Sequence, residues 1–226
     1  MAAPVHNVQL FVTHNCHIIW TDVEELKICA LKIDGVLEHL RTAPDRAQKY
    51  TGLREHLYAA VVAVRHEHAP ARPALDREIR ERYRPLWEEM RGEEAMFFLG
   101  SAREALAAVI LFDQFPRNMF REEPDSFATD PLAKSIATQA IDMGYEEALE
   151  GPEKAFLFMP FMHSESLEDQ DRAVALFSRA GLEENLQYAI GHRDLIHRFG
   201  RFPHRNPVLG RESSPEELQA IEDWHS

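Results

Sequence analysis

The chain has 226 residues, of which 45% are hydrophobic and 28% are charged, and its formal net charge is −13 at pH 7. This composition is ordinary for a soluble globular protein with a sizeable core, and it argues against wholesale disorder. The negative charge repels nucleic-acid phosphates and anionic membranes, so we expect neither nucleic-acid nor membrane binding. Two cysteines, Cys16 and Cys29, are too few for a disulfide framework, and no signal peptide is visible, which favours the cytoplasm.

The predicted elements are almost all helices, and the first two fall in the N-terminal third. Apolar residues recur at helical spacing from Asp22 to about Arg41, and a second helix is predicted from Asp45 to about His66. The proline-containing stretch 69–73 is typical of a linker. We therefore divide the chain into an N-terminal helical segment, 1–70, and a main helical domain, 71–226. We expect the first to pack on the second.

Seven further helices are predicted beyond the linker, each marked by an apolar stripe or by start and stop residues. Pro85 lies inside the first of them, where a kink is expected. The helix at 102–114 is apolar all round, which predicts that it is buried. Succeeding helices with short connections predict an all-α fold of antiparallel neighbours. The predicted ranges are 75–92, 102–114, 130–144, 151–165, 166–181, 182–200 and 213–224.

Three of these helices begin with recognisable capping signals. Asp130, followed by a proline, is predicted to be the N-cap of its helix. Ser166 with Asp169, and Ser214 with Glu217, have the three-residue spacing of a capping box.

The stretch 191–206 runs against the acidic balance of the chain. It contains four arginines and three histidines but a single aspartate, so its formal charge is +3 and the rest of the chain carries −16. It also contains FPHRN at 202–206, which echoes FPRN at 115–118, and each of the two follows a predicted helix end. The echo is consistent with two similar turns or with chance.

Asp113 is the first candidate functional residue. Leu106, Ile110 and Asp113 follow an i, i+4, i+7 spacing, which places the carboxylate on the buried face of an apolar helix, near its C-terminus. A buried and unpaired carboxylate is strongly unfavourable. We therefore predict a cation beside it, either Arg117 or an arginine of 193–205.

His192 and His163 extend this set. His192 shares a helical stripe with Leu195, Ile196 and Phe199, so its imidazole is predicted to point into the core, and His163 ends a long apolar run. The candidate ligand-binding cluster consists of polar residues at or near helix ends: Asp113, Gln114, Arg117, Asn118, His163, Glu165, His192, Arg193, Arg201, His204, Arg205 and Asn206.

Three interpretations of this cluster stay open. The favoured one is a buried network that locks helix ends together, because one guanidinium can satisfy several carbonyls and a carboxylate. The second is a pocket for a small anion such as a phosphate or carboxylate. The third, a metal site from His163, Glu165, His192 and His204, is disfavoured by the spacing and by the nearby arginines. No nucleotide or nucleophile fingerprint occurs, so we predict no cofactor and no metal.

Four long motifs resemble the bacterial family called domain of unknown function 924. They are LFDQFPRNMFR at 111–121, FATDPLA at 127–133, FMPFMHSESLEDQDRAVALF at 158–177 and HRDLIHRFGRFPHRNPVLGRESSPEEL at 192–218. The resemblance covers roughly residues 74–221, whereas residues 1–70 depart from it. It implies a tetratricopeptide-like array of antiparallel helices and no established activity. The sequence itself shows no clean 34-residue repeat.

These observations predict a non-enzymatic binding or scaffold protein whose polar cluster holds a small anion or a peptide. The alternative is a hydrolase-type enzyme that uses His163 or His192 as acid and base, with Arg117, Arg201 and Arg205 stabilising charge. The sequence does not decide whether the protein is an enzyme.

Overall fold

The structure is a computed structural model, and it describes residues 73–224. This part of the chain contains eight α-helices and no strand, which confirms the all-α prediction for it. The two helices predicted before residue 67 and the division at residue 70 lie outside the described residues. The helices are α1 Pro73–Met90, α2 Ala102–Val109, α3 Phe115–Met119, α4 Asp130–Asp142, α5 Gly151–Met162, α6 Leu167–Arg179, α7 Glu183–Phe199 and α8 Pro215–Trp224.

One apolar core holds most of these helices together. α2 packs against α4 and α5, while α5, α6 and α7 each contact the other two. The largest buried side chains include Trp87 of α1, Phe158 of α5 and Phe177 of α6, and Phe158 meets Phe177 edge to face. None of the helices between residues 73 and 224 has the length and apolar character needed to cross a membrane.

The helix predicted at 102–114 is α-helical only as far as Val109, and it continues as a π-helix, Ile110–Gln114, that leads into α3. The cause lies just downstream. Pro116 has no N–H and cannot bond the Phe112 carbonyl four residues back, so a regular α-helix loses a bond here. The hydroxyl of Thr129 instead donates to that carbonyl, at 2.6 Å. The π-helix carries Asp113.

The predicted N-cap of α4 was wrong by one residue. α4 begins at Asp130, and Thr129 occupies the N-cap position. The Thr129 hydroxyl does not cap the helix, because it accepts from the indole of Trp87 at 3.1 Å and donates to Phe112. The Asp130 carboxylate is therefore placed on the first turn of α4, where it meets arginines from other elements.

The two predicted capping boxes differ in outcome. The Ser214 amide donates to Glu217 at 2.8 Å and the Glu217 amide to the Ser214 hydroxyl at 3.2 Å, so the box at α8 is confirmed. At α6 the Asp169 amide donates to the Ser166 hydroxyl at 3.5 Å. The carboxylate of Asp169 binds Lys134 at 2.6 Å, so only half of the predicted box forms.

Candidate functional site

The centre of the site is a buried pair formed by Asp113 and His163, the residue that follows α5. Asp113 has no exposed surface, and its two carboxylate oxygens lie 2.8 and 3.0 Å from the Nδ1 atom of His163. The side-chain amide of Gln114 donates to the same carboxylate. Because an ionised carboxylate only accepts hydrogen bonds, Nδ1 carries the ring proton.

Arg117 joins this pair to a second carboxylate. Its guanidinium lies 3.4 Å from the Asp113 carboxylate and donates to the Asp113 carbonyl. It also donates to both oxygens of Asp130, at 2.9 and 3.0 Å. This paired geometry is the strongest that arginine makes with a carboxylate. The cation predicted beside Asp113 is thus Arg117.

Arg205 closes the arrangement from the far end of the chain. Its Nη2 donates to the His163 carbonyl at 2.9 Å, and its Nη1 lies 3.7 Å from Asp130. The guanidinium lies 4.5 Å from the centre of the Phe127 ring and 4.6 Å from that of Phe202. We call the resulting closed set the polar ring: Asp113, His163, Arg205, Asp130 and Arg117.

The polar ring is balanced in charge. Two carboxylates face two guanidiniums, so the ring is formally neutral when His163 is neutral. Burial raises the pKa of Asp113, but the charge of Arg117 and the hydrogen bonds from His163 and Gln114 outweigh burial and hold that pKa below its ordinary value. Asp113 therefore stays ionised inside the protein.

Both echoed FPRN and FPHRN segments contribute an arginine to the polar ring. Arg117 and Arg205 both meet Asp130, from segments more than eighty residues apart in the chain. The asparagines that follow also behave alike. Asn118 donates to Asp76 in the first turns of α1, at 3.2 Å, and Asn206 donates to the hydroxyl of Ser213, just before α8, at 3.0 Å. The backbone conformations differ, because FPRN lies in α3 whereas FPHRN contains a 3₁₀ turn, so the structure does not show two similar turns.

A second polar centre adjoins the ring at Glu165. Its carboxylate accepts from Arg211 at 2.7 and 2.9 Å and from the Phe202 amide at 2.8 Å. Partial burial raises the pKa of Glu165, yet these donors outweigh it and lower the pKa below its ordinary value. Glu165 therefore anchors the segment after α7 to the end of α5.

Several predicted cluster residues lie outside the ring. His192 is buried as predicted, with its Nδ1 atom 2.8 Å from the Tyr188 carbonyl and its ring edge against Phe202. Arg193 is half-buried and pairs with Asp194, 3.4 Å away, so the structure does not bring it to the ring. The remaining members that lie apart from the ring are Asn118, Arg201, His204 and Asn206.

Arg201 and His204 have separate local roles. Arg201 makes a paired contact with Glu217 of α8, at 2.6 and 2.8 Å. His204 packs its ring against Phe202, with centroids 5.4 Å apart. Among residues 73–224, no group of three histidine, cysteine or acidic side chains is arranged to hold a metal ion.

Sequence reasoning missed three residues of these networks: Asp130, Arg211 and Gln170. Asp130 was assigned to capping, and Arg211 carries no local signal of its own. Gln170 is fully buried and donates to the carbonyls of Met162 and Ser164 at 2.7 Å each, which caps the end of α5. Its i, i+3 spacing to the buried Ala173 is the signal that points to its burial.

Over residues 73–224, the fold and site define an all-α arrangement in which segments distant in the sequence meet in a buried, charge-balanced polar ring. The family model described as "Bacterial protein of unknown function (DUF924)" matches residues 59–224, so the chain belongs to this family. The match begins before residue 74, and so it includes part of the segment expected to depart from the family.

A similar solved structure is that of the protein of unknown function ATU0120 from Agrobacterium tumefaciens. It shares 41% sequence identity with this chain at a TM-score of 0.62, and the alignment covers 66% of this chain and 85% of that one. No curated protein matches the sequence.

Proposed function

We propose that this is a non-enzymatic binding protein of the cytoplasm, in which the polar ring is the structural lock of a tetratricopeptide-like scaffold. One observation carries the proposal: Arg117 and Arg205 both direct their guanidiniums to Asp130. The cationic charge of the cluster is balanced by the protein's own carboxylates. A ring with matched charges needs no ligand to neutralise it.

The ring has the connections expected of a lock. It joins the π-helix and α3, the start of α4, the end of α5 and the 3₁₀ turn at Pro203–Arg205. These segments are far apart in the sequence, so their contacts fix how the helices are arranged relative to one another. Removing one member leaves a buried charge without its partner, which is far more costly than never having built the pair.

The binding surface that we propose accepts a peptide or protein segment. α5, α6 and α7 contact one another as successive helices do in helical repeats, and stacked repeats form extended concave surfaces, an inference by fold analogy. Met96, in the 3₁₀ turn Ala95–Phe98, is 69% exposed, and Met143, at the end of α4, is 54% exposed. The turn and α4 contact each other. Flexible methionine side chains suit a surface that adapts to a partner.

The lock is tested by thermal unfolding. Arg205→Ala is expected to lower the melting temperature strongly, whereas Arg77→Ala, an exposed arginine on α1, serves as the matched control and leaves it unchanged. Millimolar phosphate and carboxylate compounds are expected to leave the parent's melting temperature unchanged. Stabilisation by such a compound, lost in Arg205→Ala, would instead establish the small-anion site.

A hydrolase-type enzyme is the second candidate, and the Asp113–His163 contact favours it. A carboxylate on Nδ1 orients an imidazole for acid–base chemistry at its other nitrogen, and Arg117 and Arg205 stand close enough to stabilise charge. His192 is a weaker candidate, because the Tyr188 carbonyl and Phe202 hold it in the core. Turnover of ester, amide or phosphoester substrates by the parent, absent in His163→Gln, supports this candidate, and no turnover by the parent rejects it.

A further inference from the structure

Residues 201–211, which we call the strap, cross the end of α5 beside His163. The Phe202 amide and the Arg211 guanidinium bond to Glu165, and Arg205 donates to the carbonyl of His163. The strap is therefore attached at the two residues on either side of Ser164. The buried Asp113–His163 pair lies at this end of α5.

The strap is also tied to α8. Arg201 in the strap makes its paired contact with Glu217 of α8, and Asn206 donates to Ser213 in front of it. The unit begins directly after Gly200, whose left-handed φ of 68° ends α7. These contacts favour motion of residues 201–224 as one body.

The attachment of this body to the remaining helices combines these polar contacts with the buried ring of Phe202, which packs against His192 of α7. Phe202 and Ala220 are buried, but they do not belong to the continuous apolar core that unites α1 to α7. The Arg211 and Glu165 side chains retain 24% and 27% exposure, so solvent weakens their attraction. Segments held in this way open at lower free energy than the core does.

We infer that the strap and α8 release as a unit, and that this release uncovers the Asp113–His163 pair. The inference deepens the second candidate function, since a substrate reaches His163 only after release. The chemical purpose of the release rests on that candidate, but the experiment that tests the release does not. Opening is a conformational event with its own observables, whichever function the protein has.

The experiment measures access directly in the full chain. Hydrogen exchange of the Phe202 amide reports the strap, and carbethoxylation of His163 by diethyl pyrocarbonate, mapped by peptide mass spectrometry, reports the pair. Glu165→Gln removes the charged anchor, and Glu168→Gln, on the exposed first turn of α6, is the matched control. We expect both rates to rise about tenfold in Glu165→Gln and to stay unchanged in the control. The amides of α4 and α5 should keep the parent's rates.

Three results would overturn the inference. The first is carbethoxylation of His163 in the parent at the same rate as that of the exposed His197. The second is an equal rise in the exchange rates of strap and α5 amides in Glu165→Gln. The third is no rise in either the exchange or the carbethoxylation rate in that variant. If Glu165→Gln fails to fold, exchange of the parent in a urea series decides, because Phe202 must then open with a smaller denaturant dependence than α5. Observed release together with no turnover retains the strap and rejects the enzyme.

Discussion

Replacement of Arg117 by alanine probes the polar ring most severely. Only 7% of the Arg117 side chain is exposed, and its guanidinium contacts the carboxylates of both Asp113 and Asp130. The alanine variant leaves Asp113 without its guanidinium in a place where water cannot solvate it. Asp130, with 20% of its side chain exposed, loses its paired contact but keeps Arg205 close by.

The expected loss follows from this burial. Removing one partner of a buried ion pair costs about 3–5 kcal/mol, because the remaining charge stays desolvated. For a chain of this length each kcal/mol shifts the melting temperature by roughly 2–4 °C, so the decrease should be about 10 °C. The double variant Arg117→Met, Asp113→Asn removes both charges and should recover part of this loss.

Equilibrium urea unfolding, followed by far-ultraviolet circular dichroism, measures these differences. A loss below about 1 kcal/mol in Arg117→Ala, the range of an exposed ion pair, would refute the reasoning that Asp113 depends on this guanidinium. A double variant less stable than Arg117→Ala would likewise show that charge is not what the arginine contributes.

Three further predictions concern the carboxylates. The Arg201 hydrogen bonds lower the pKa of Glu217 to about 2, and the pKa of Asp113 is lowered as well. As pH falls, both carboxylates therefore take up protons in the unfolded chain before they do so in the folded protein. Their contribution to stability is therefore complete above about pH 5.5 and is lost as pH falls towards 2. A midpoint urea concentration that is as high at pH 3 as at pH 6 would contradict this prediction. Glu217→Gln weakens both the capping box and the Arg201 contact and should cost about 1–2 kcal/mol in the same unfolding assay. Asp130→Ala leaves two arginines facing the start of α4, so millimolar sulfate should raise the melting temperature of this variant and leave that of the parent unchanged.

Helices with a clear apolar stripe or a capping signal were predictable from the sequence. Asp113 illustrates what periodicity achieves, because its spacing from Leu106 and Ile110 placed it on a buried face before any partner was known. Ser214 and Glu217 illustrate a purely local signal, since both halves of the capping box lie within four residues.

The parts that were missed depend on contacts between distant segments. Pro116 is visible in the sequence, but the π-helix also involves the hydroxyl of Thr129 on the Phe112 carbonyl, seventeen residues away. Asp130 was assigned to a local cap because local spacing suits it. Its observed partners, Arg117 and Arg205, meet it only once α3 and the turn at Pro203–Arg205 have come together in the fold.

The coupling between Arg117 and Arg205 tests the closed ring most directly, because both arginines meet Asp130. A double-mutant cycle built from Arg117→Ala, Arg205→Ala and their combination measures how far the two losses of unfolding free energy depart from a simple sum. The closed ring predicts a departure of about 1 kcal/mol or more, which disappears when the same cycle is repeated on an Asp130→Asn background. Losses that add to within about 0.5 kcal/mol in the parent background would show that the two arginines act independently and that no ring exists.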